Sequence, residues 1–343
     1  MNKSKLLTIQ LFMFCLTLTI ACFPLKLIAQ KALERGLETI SRERSENLMY
    51  FLADDLLEGR DAGMRGRQLA ARYIVSMLRE WGIAPFNSNG YYQSFDIAKL
   101  TKPQRGPWQV HPDSIAKVKS YGAHHLRHLN NILAAIPGKR TNEYVIVGAH
   151  YDHEGIMPDI AVDAIYNGAD DNASGVVAVM QIARAFATSG QQPERTVIFA
   201  FWDGEEKGLL GSRFFIHNWQ IPSQIKCYLN FDMVGRGPVN NPKHLSYFYT
   251  ASHQAFGNWL KQDMKERNFG FVPDYRAWDN PVGGSDNGTF AKAGIPIIWY
   301  HTEGHPDYTR PSDTADKIDF DKLTDICKAS FLTSWRMANE SRY

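Results

Sequence analysis

The stretch Thr196 to Gly211 (TVIFAFWDGEEKGLLG) constrains the fold most. It begins as a run of β-branched and aromatic residues, the signature of a buried strand. The run stops at Trp202-Asp203-Gly204, then come two carboxylates, Glu205 and Glu206, and a helical pattern starts over Gly208 to His217. Carboxylates at the C-terminal end of a buried strand sit where open α/β sheets place their ligands. Adjacent residues point in different directions, so one can bind a metal while its neighbour handles a proton. A lone Glu-Glu pair would be read more plainly as a solvated acidic loop. Three other strand ends that carry metal-type residues set that reading aside.

The rest of the chain supplies those strands. Asn131 to Ile136 reads as a strand closed by Pro137-Gly138, and Tyr144 to Ala149 as a strand ending in His150. Asn172 to Thr188 is helical, Ile225 to Phe231 is a strand ending in Asp232, and Leu245 to Thr250 and Ile295 to Tyr300 are further strands. Helical periodicity covers Ser45 to Leu57, Gln68 to Glu80, Ser252 to Arg267 and Asp321 to Met337, with a basic, glycine-rich loop predicted over Arg60 to Arg67. Tyr91, Tyr92 and Phe95 suggest an edge strand, and Pro103, Gly106, Pro107 and Pro112 break the chain after it. His124, His125 and His128 read as solvated surface. Strands alternating with helices predict a single α/β domain, a mostly parallel central sheet with helices on both faces.

Residues 1–29 are separate from that domain, which is expected to span 30–343. Lys3 and Lys5 precede an apolar run from Leu6 to Ile20, the pattern of a secretory signal. Cleavage after Ala29 is the favoured route, and lipidation of Cys22 is the alternative, the one case in which a membrane partner is expected. Either way the chain is expected to be exported, to the periplasm, the outer membrane or the medium. Cys227 and Cys327 are read as buried free thiols, although two cysteines in an oxidising compartment can pair. The net charge of +2 and the lack of a dense basic tract exclude nucleic acid as a partner.

The chemistry converges on four places: His150-Tyr151-Asp152, Gly168-Ala169-Asp170-Asp171-Asn172 before a helix, Glu205-Glu206, and Asp232. One imidazole and several carboxylates suit zinc or a similar divalent ion, and the excess of carboxylates suits two neighbouring ions sharing one Asp. Taken singly, His150 could be a core histidine, Asp171 a helix cap and Asp232 a turn residue. All three plain readings holding at successive strand ends is far less probable.

These residues lie in motifs that resemble the M28 zinc peptidases, which include bacterial aminopeptidases: GAHYDHEG from Gly148, NGADDNASG from Asn167, FWDGEEKGLLGS from Phe201, LNFDMVGR from Leu229 and HPDYTRPSDTADKI from His305. The resemblance runs from about Leu48 to the C-terminal helix. It implies an aminopeptidase acting on peptides at a two-zinc site. His150 and Asp232 would hold one ion, Glu206 the other, and Asp171 would bridge them. Glu205 would be the general base, and Asp152 would orient His150. In the family a His stands four residues before the Asp313-Thr314 pair, where this chain has Thr309. The resemblance therefore leaves one ion short of a ligand, with His305 the nearest substitute and His301 a more remote one, or a site holding a single zinc. Asn287 stands where relatives often carry His, in a loop expected to line the substrate pocket. Phe95, Trp278, Trp299 and Tyr300 are candidates for an aromatic pocket. Two alternatives stay open: a single-zinc glutaminyl cyclase, which the stretch Phe201 to Glu206 also resembles, and a non-catalytic peptide-binding relative.

Overall fold

This computed structural model describes residues 27–101, 106–122, 124–158, 162–279 and 283–343. Residues 1–26 of the expected leader, Cys22 included, lie outside them, whereas its last three residues, 27–29, open the first helix, which runs through the expected cleavage point. Helix α1 covers residues 27–38, followed by α2 (Arg42–Leu52) and α3 (Arg65–Glu80). Then come β1 (Ala84–Pro85), β2 (Tyr92–Leu100), α4 (Pro112–Ser120), β3 (His124–Ile136) and β4 (Arg140–His150). A small ladder, β5 (Gly155–Ile156) and β6 (Ile165–Tyr166), precedes α5 (Gly175–Ser189), β7 (Arg195–Trp202), α6 (Leu210–Asn218) and β8 (Ile225–Phe231). The chain continues through β9 (His244–Thr250), α7 (Gln254–Glu266), β10 (Val272–Trp278), α8 (Asn287–Lys292), β11 (Ile297–His301) and α9 (Phe320–Asn339).

The nine-stranded sheet has the order β1-β3-β7-β4-β8-β11-β9-β10, with β2 also paired to β3. Its centre, β7-β4-β8-β11, is parallel, and antiparallel pairs flank it on both sides. Alternation on the central strands explains why helices cover both faces. Val145, Val147, Val197 and Phe199 face the core shared with α2, α3, α5, α7 and α9. Ile146, Ile198, Trp202 and Tyr228 face Phe215 of α6 and Phe290 of α8. Strands buried on both sides read as unbroken apolar runs, which is what Thr196 to Trp202 shows. Among the described residues no helix is long and apolar enough to cross a membrane.

The expected class is observed, with local differences. The predicted strand at Asn131 begins earlier, at His124, because its first half projects beyond the core and pairs with β2. His124, His125 and His128 are exposed there, as expected. Pro112, read as a breaker, is the first residue of α4, where its fixed φ and missing N–H suit a helix start. The basic loop over Arg60 to Arg67 is shorter than expected: α3 begins at Arg65, and both Arg60 and Arg67 are buried. The predicted helix from Asn172 starts at Gly175, because Asp171 and Asn172 leave helical geometry to form an irregular turn. Strand β10 has no clear signal in the sequence; it is a half-exposed edge without clean alternation. Cys227 and Cys327 are buried and unpaired with each other.

Candidate active site

Three parallel strands deliver the site. In register, His150 at the end of β4 lies beside Trp202 at the end of β7, and Phe231 at the end of β8 lies beside Tyr300. The residues just past these ends therefore converge on one side of the sheet, where β7 and β8 flank β4. The turn before α5 adds Asp171. A cavity of about 210 Å³ opens there, lined by His150, Asp171, Glu205, Glu206, Asp232, Met233, Trp299, His301 and Tyr308 with Gly284 and Gly304.

The turn carrying Asp171 is fixed from behind. Gly168 has φ 56°, and a Cβ on it would stand 2.1 Å from the Asp171 carbonyl oxygen and 2.4 Å from the His153 ring, so only glycine fits. The Asp313 carboxylate accepts from the Asp170 and Asp171 N–H groups at 2.9 and 3.1 Å. The Asn172 amide donates to the Phe231 carbonyl at 2.8 Å, tying the turn to the end of β8. Beneath lies Arg60, whose guanidinium donates to the carbonyls of Leu52, Tyr151, Asn167 and Gly168 at 2.6–3.1 Å. Burial lowers its pKa to about 10, opposed by the charges of Asp171, Asp313, Asp152 and Glu206, so it stays cationic at neutral pH behind a cluster of carboxylates.

The donor atoms form two sets. His150, Glu205 and Asp232 each offer a ligand atom within 4.8 Å of the others, and so do His150, Asp171 and Glu206. His150 Nε2 lies 3.4 Å from Asp171 Oδ1 and 3.5 Å from Asp232 Oδ2. Its other nitrogen, Nδ1, sits 3.1 Å from the Asp152 carbonyl, and an Nδ1–H···O bond there presents Nε2 to the carboxylates as a lone pair. A buried imidazole facing several carboxylates, held on strand ends and on the fixed turn before α5, is a donor set that fits zinc.

Most of the sequence-derived site residues meet here, and two are placed differently. The Asp152 carboxylate does not hold His150, whose Nδ1 is 3.8 Å away; the Asp152 carbonyl does, and the carboxylate accepts from the Glu205 N–H at 3.1 Å. Asp152 thus positions the backbone of Glu205 as well as the imidazole. His305 does not reach the cavity. It is buried with its Nε2 3.3 Å from Asp170 Oδ2, on the far side of the turn. Thr309 is exposed and contributes to neither donor set. Of the pocket candidates, Trp299 lines the cavity, whereas Tyr300 packs on Phe231 and Tyr247, Phe95 belongs to a separate cluster, and Trp278 is exposed. Gly284 lines the cavity, whereas Asn287 is buried in the first turn of α8.

One residue at the site escapes the sequence reading. His153, buried, places Nδ1 2.8 Å from Glu206 Oε1 and 3.8 Å from Asp171 Oδ2. Its signal is the second His of GAHYDHEG, three residues after His150.

Glu205 and Asp171 are shifted in opposite directions, Glu205 upward. Burial pushes its carboxyl well above the usual range, and the charges of Asp232, Asp286 and Glu206 push the same way against His150. Asp171 is the opposite case. Burial raises it, but His153, His150 and Arg60 outweigh that and hold it at about 2.

The chain is similar in sequence and in fold to known proteins. A leupeptin-inactivating enzyme of Streptomyces exfoliatus is 30% identical over 191 residues, 54% of this chain and 38% of that protein, so the chain spans well under half of that relative. A probable leucine aminopeptidase of Arthroderma otae is 28% identical over 276 residues, 76% of this chain and 71% of that one. The fold is shared with a zinc aminopeptidase from Bacillus subtilis (TM-score 0.63, 15% identity, 89% of this chain and 97% of that one). It is shared equally with the glutaminyl cyclase of Macrostomum lignano (TM-score 0.63, 18% identity, 89% and 92%). The pattern of peptidase family M28 matches residues 131–333, which include every donor of the two sets, and the chain belongs to that family.

Proposed function

We propose that this chain is an exported, zinc-dependent aminopeptidase that removes N-terminal residues from peptides. The observation that carries the reading is the convergence of His150, Asp171, Glu205, Glu206 and Asp232 on one cavity, in two donor sets that share His150. His150, Asp171, Glu206 and Asp232 would hold the metal, which as zinc supplies Lewis acidity toward water and toward the scissile carbonyl. The chain's own groups do the rest. Glu205 takes a proton from the attacking water as its oxygen bonds the carbonyl carbon, and returns that proton to the amine as the C–N bond breaks. Trp299 and Met233 give the cavity an apolar wall, and the partly exposed Tyr308 also lines it.

The test is a panel of short peptides with free or acetylated N-termini. Release of the first amino acid from the free peptides alone is expected. Equal cleavage of acetylated peptides would point to an endopeptidase. The glutaminyl cyclase reading draws on the shared fold, and ammonia released from N-terminal glutamine peptides without free amino acid would select it. Export rests on the pattern of residues 1–29. The first residue of the chain recovered from its native cells tests it: Gln30 after signal cleavage, or a lipidated Cys22.

A further inference from the structure

We infer that His153 is a metal ligand, completing the second position around Asp171 and Glu206 where Thr309 offers none. This rests on the zinc-site reading above but not on the reaction the site performs.

The ground for it is the arrangement around Asp171. Its two oxygens face two different imidazoles: Oδ1 is 3.4 Å from His150 Nε2, and Oδ2 is 3.8 Å from His153 Nδ1. Each imidazole closes onto a further carboxylate on its far side, His150 onto Asp232 Oδ2 at 3.5 Å and His153 onto Glu206 Oε1 at 2.8 Å. Beyond the two donor sets that share His150, Asp171 thus faces a second imidazole, which itself closes onto Glu206. A carboxylate that uses a different oxygen toward each of two nitrogen-containing sets is the pattern of a bridging ligand. His153 is held for this role. It comes directly after Asp152 on the segment leaving β4, its N–H donates to the Arg60 carbonyl at 3.1 Å, and its ring packs against Gly168. Ring and backbone are both immobilised, as a ligand requires. Thr309 cannot substitute, since it is exposed and a neutral hydroxyl is a poor zinc donor. His305 is turned toward Asp170.

The competing role for His153 is to orient Glu206 through a hydrogen bond. His153→Gln separates the two, because a glutamine amide can still donate to Glu206 but offers no imidazole nitrogen. Zinc per chain is measured by mass spectrometry after dialysis, with affinity by chelator competition, on wild type and variant. The expected result is two ions in wild type and one in His153→Gln, the second weakened more than about 100-fold, beyond the 10–100-fold that loss of an orienting partner costs. A second measurement needs no variant. In the cobalt(II)-loaded wild type, proton resonance should show strongly shifted exchangeable imidazole signals from both His150 and His153. A weakening below 100-fold, a wild type that binds one ion, or a single shifted imidazole would overturn the inference. Two ions without peptide hydrolysis would sink the proposed activity and leave the ligand assignment standing. Hydrolysis with the second ion indifferent to His153→Gln would do the reverse.

Discussion

Replacing Arg60 tests how the site is held from below. The residue has φ 51°, after Glu58 and Gly59 at 52° and 62°, so three consecutive residues are left-handed. Outside glycine that conformation costs about 1–2 kcal/mol per residue. It is held by the buried guanidinium, which donates to four carbonyls on three separate segments. Charge-assisted bonds contribute about 1.5–3 kcal/mol each, but they share one cation whose burial is itself costly, so their sum overstates the loss. Removing one partner of a buried charged network costs about 3–5 kcal/mol, which is the expected effect of Arg60→Ala. Arg60→Gly loses the same bonds but relieves the backbone, and should be more stable than Arg60→Ala by about 1 kcal/mol. Urea unfolding of the three proteins in chelator, which removes the contribution of bound metal, reads both differences. Arg60→Ala within about 1 kcal/mol of wild type, or a glycine variant no better than alanine, would refute the reasoning.

Asp307 accepts from Lys317, Ser312 and Arg236 at 2.7–2.8 Å; burial raises its pKa, but these partners outweigh that and hold it well below the usual range. A depressed folded pKa contributes stability above the unfolded value of about 4 that is lost as pH falls below it. Asp307→Asn should therefore cost about 1–2 kcal/mol at pH 7, and the two stability curves should converge in strong acid. Burial pushes the thiols of Cys227 and Cys327 upward and no solvent reaches them, so a thiol reagent should leave both unlabelled in the native protein and label both in denaturant, as peptide mapping would show. A Cβ on Gly66 would stand 1.6 Å from the Leu57 carbonyl oxygen, so Gly66→Ala must displace α3 from the turn that carries Arg60, at a cost of about 1–3 kcal/mol in urea unfolding.

The sequence is most readable where burial is two-sided. Thr196 to Trp202 and Ile225 to Phe231 announce themselves as apolar runs, and their ends mark where His150, Glu205, Glu206 and Asp232 converge. It is least readable where structure depends on polar groups buried by distant partners. Arg60 and Arg67 look like a solvated basic loop until Leu52, Tyr151, Asn167, Gly168 and Asp203 gather around them. His305 sits in a motif near the site, but Asp170 on the back of the turn places it elsewhere. His153 is hidden for the opposite reason. Three residues after His150 it has left the strand, and no strand periodicity fixes its direction; only the fold of the turn brings it to Glu206.

The most direct measurement is release of the N-terminal residue from a short peptide by zinc-loaded wild type and Glu205→Gln, with metal content determined on the same samples. If Glu205 moves the proton, the variant keeps its zinc and loses about 10²–10⁴-fold in kcat. A variant with full zinc and a wild-type rate would contradict the account.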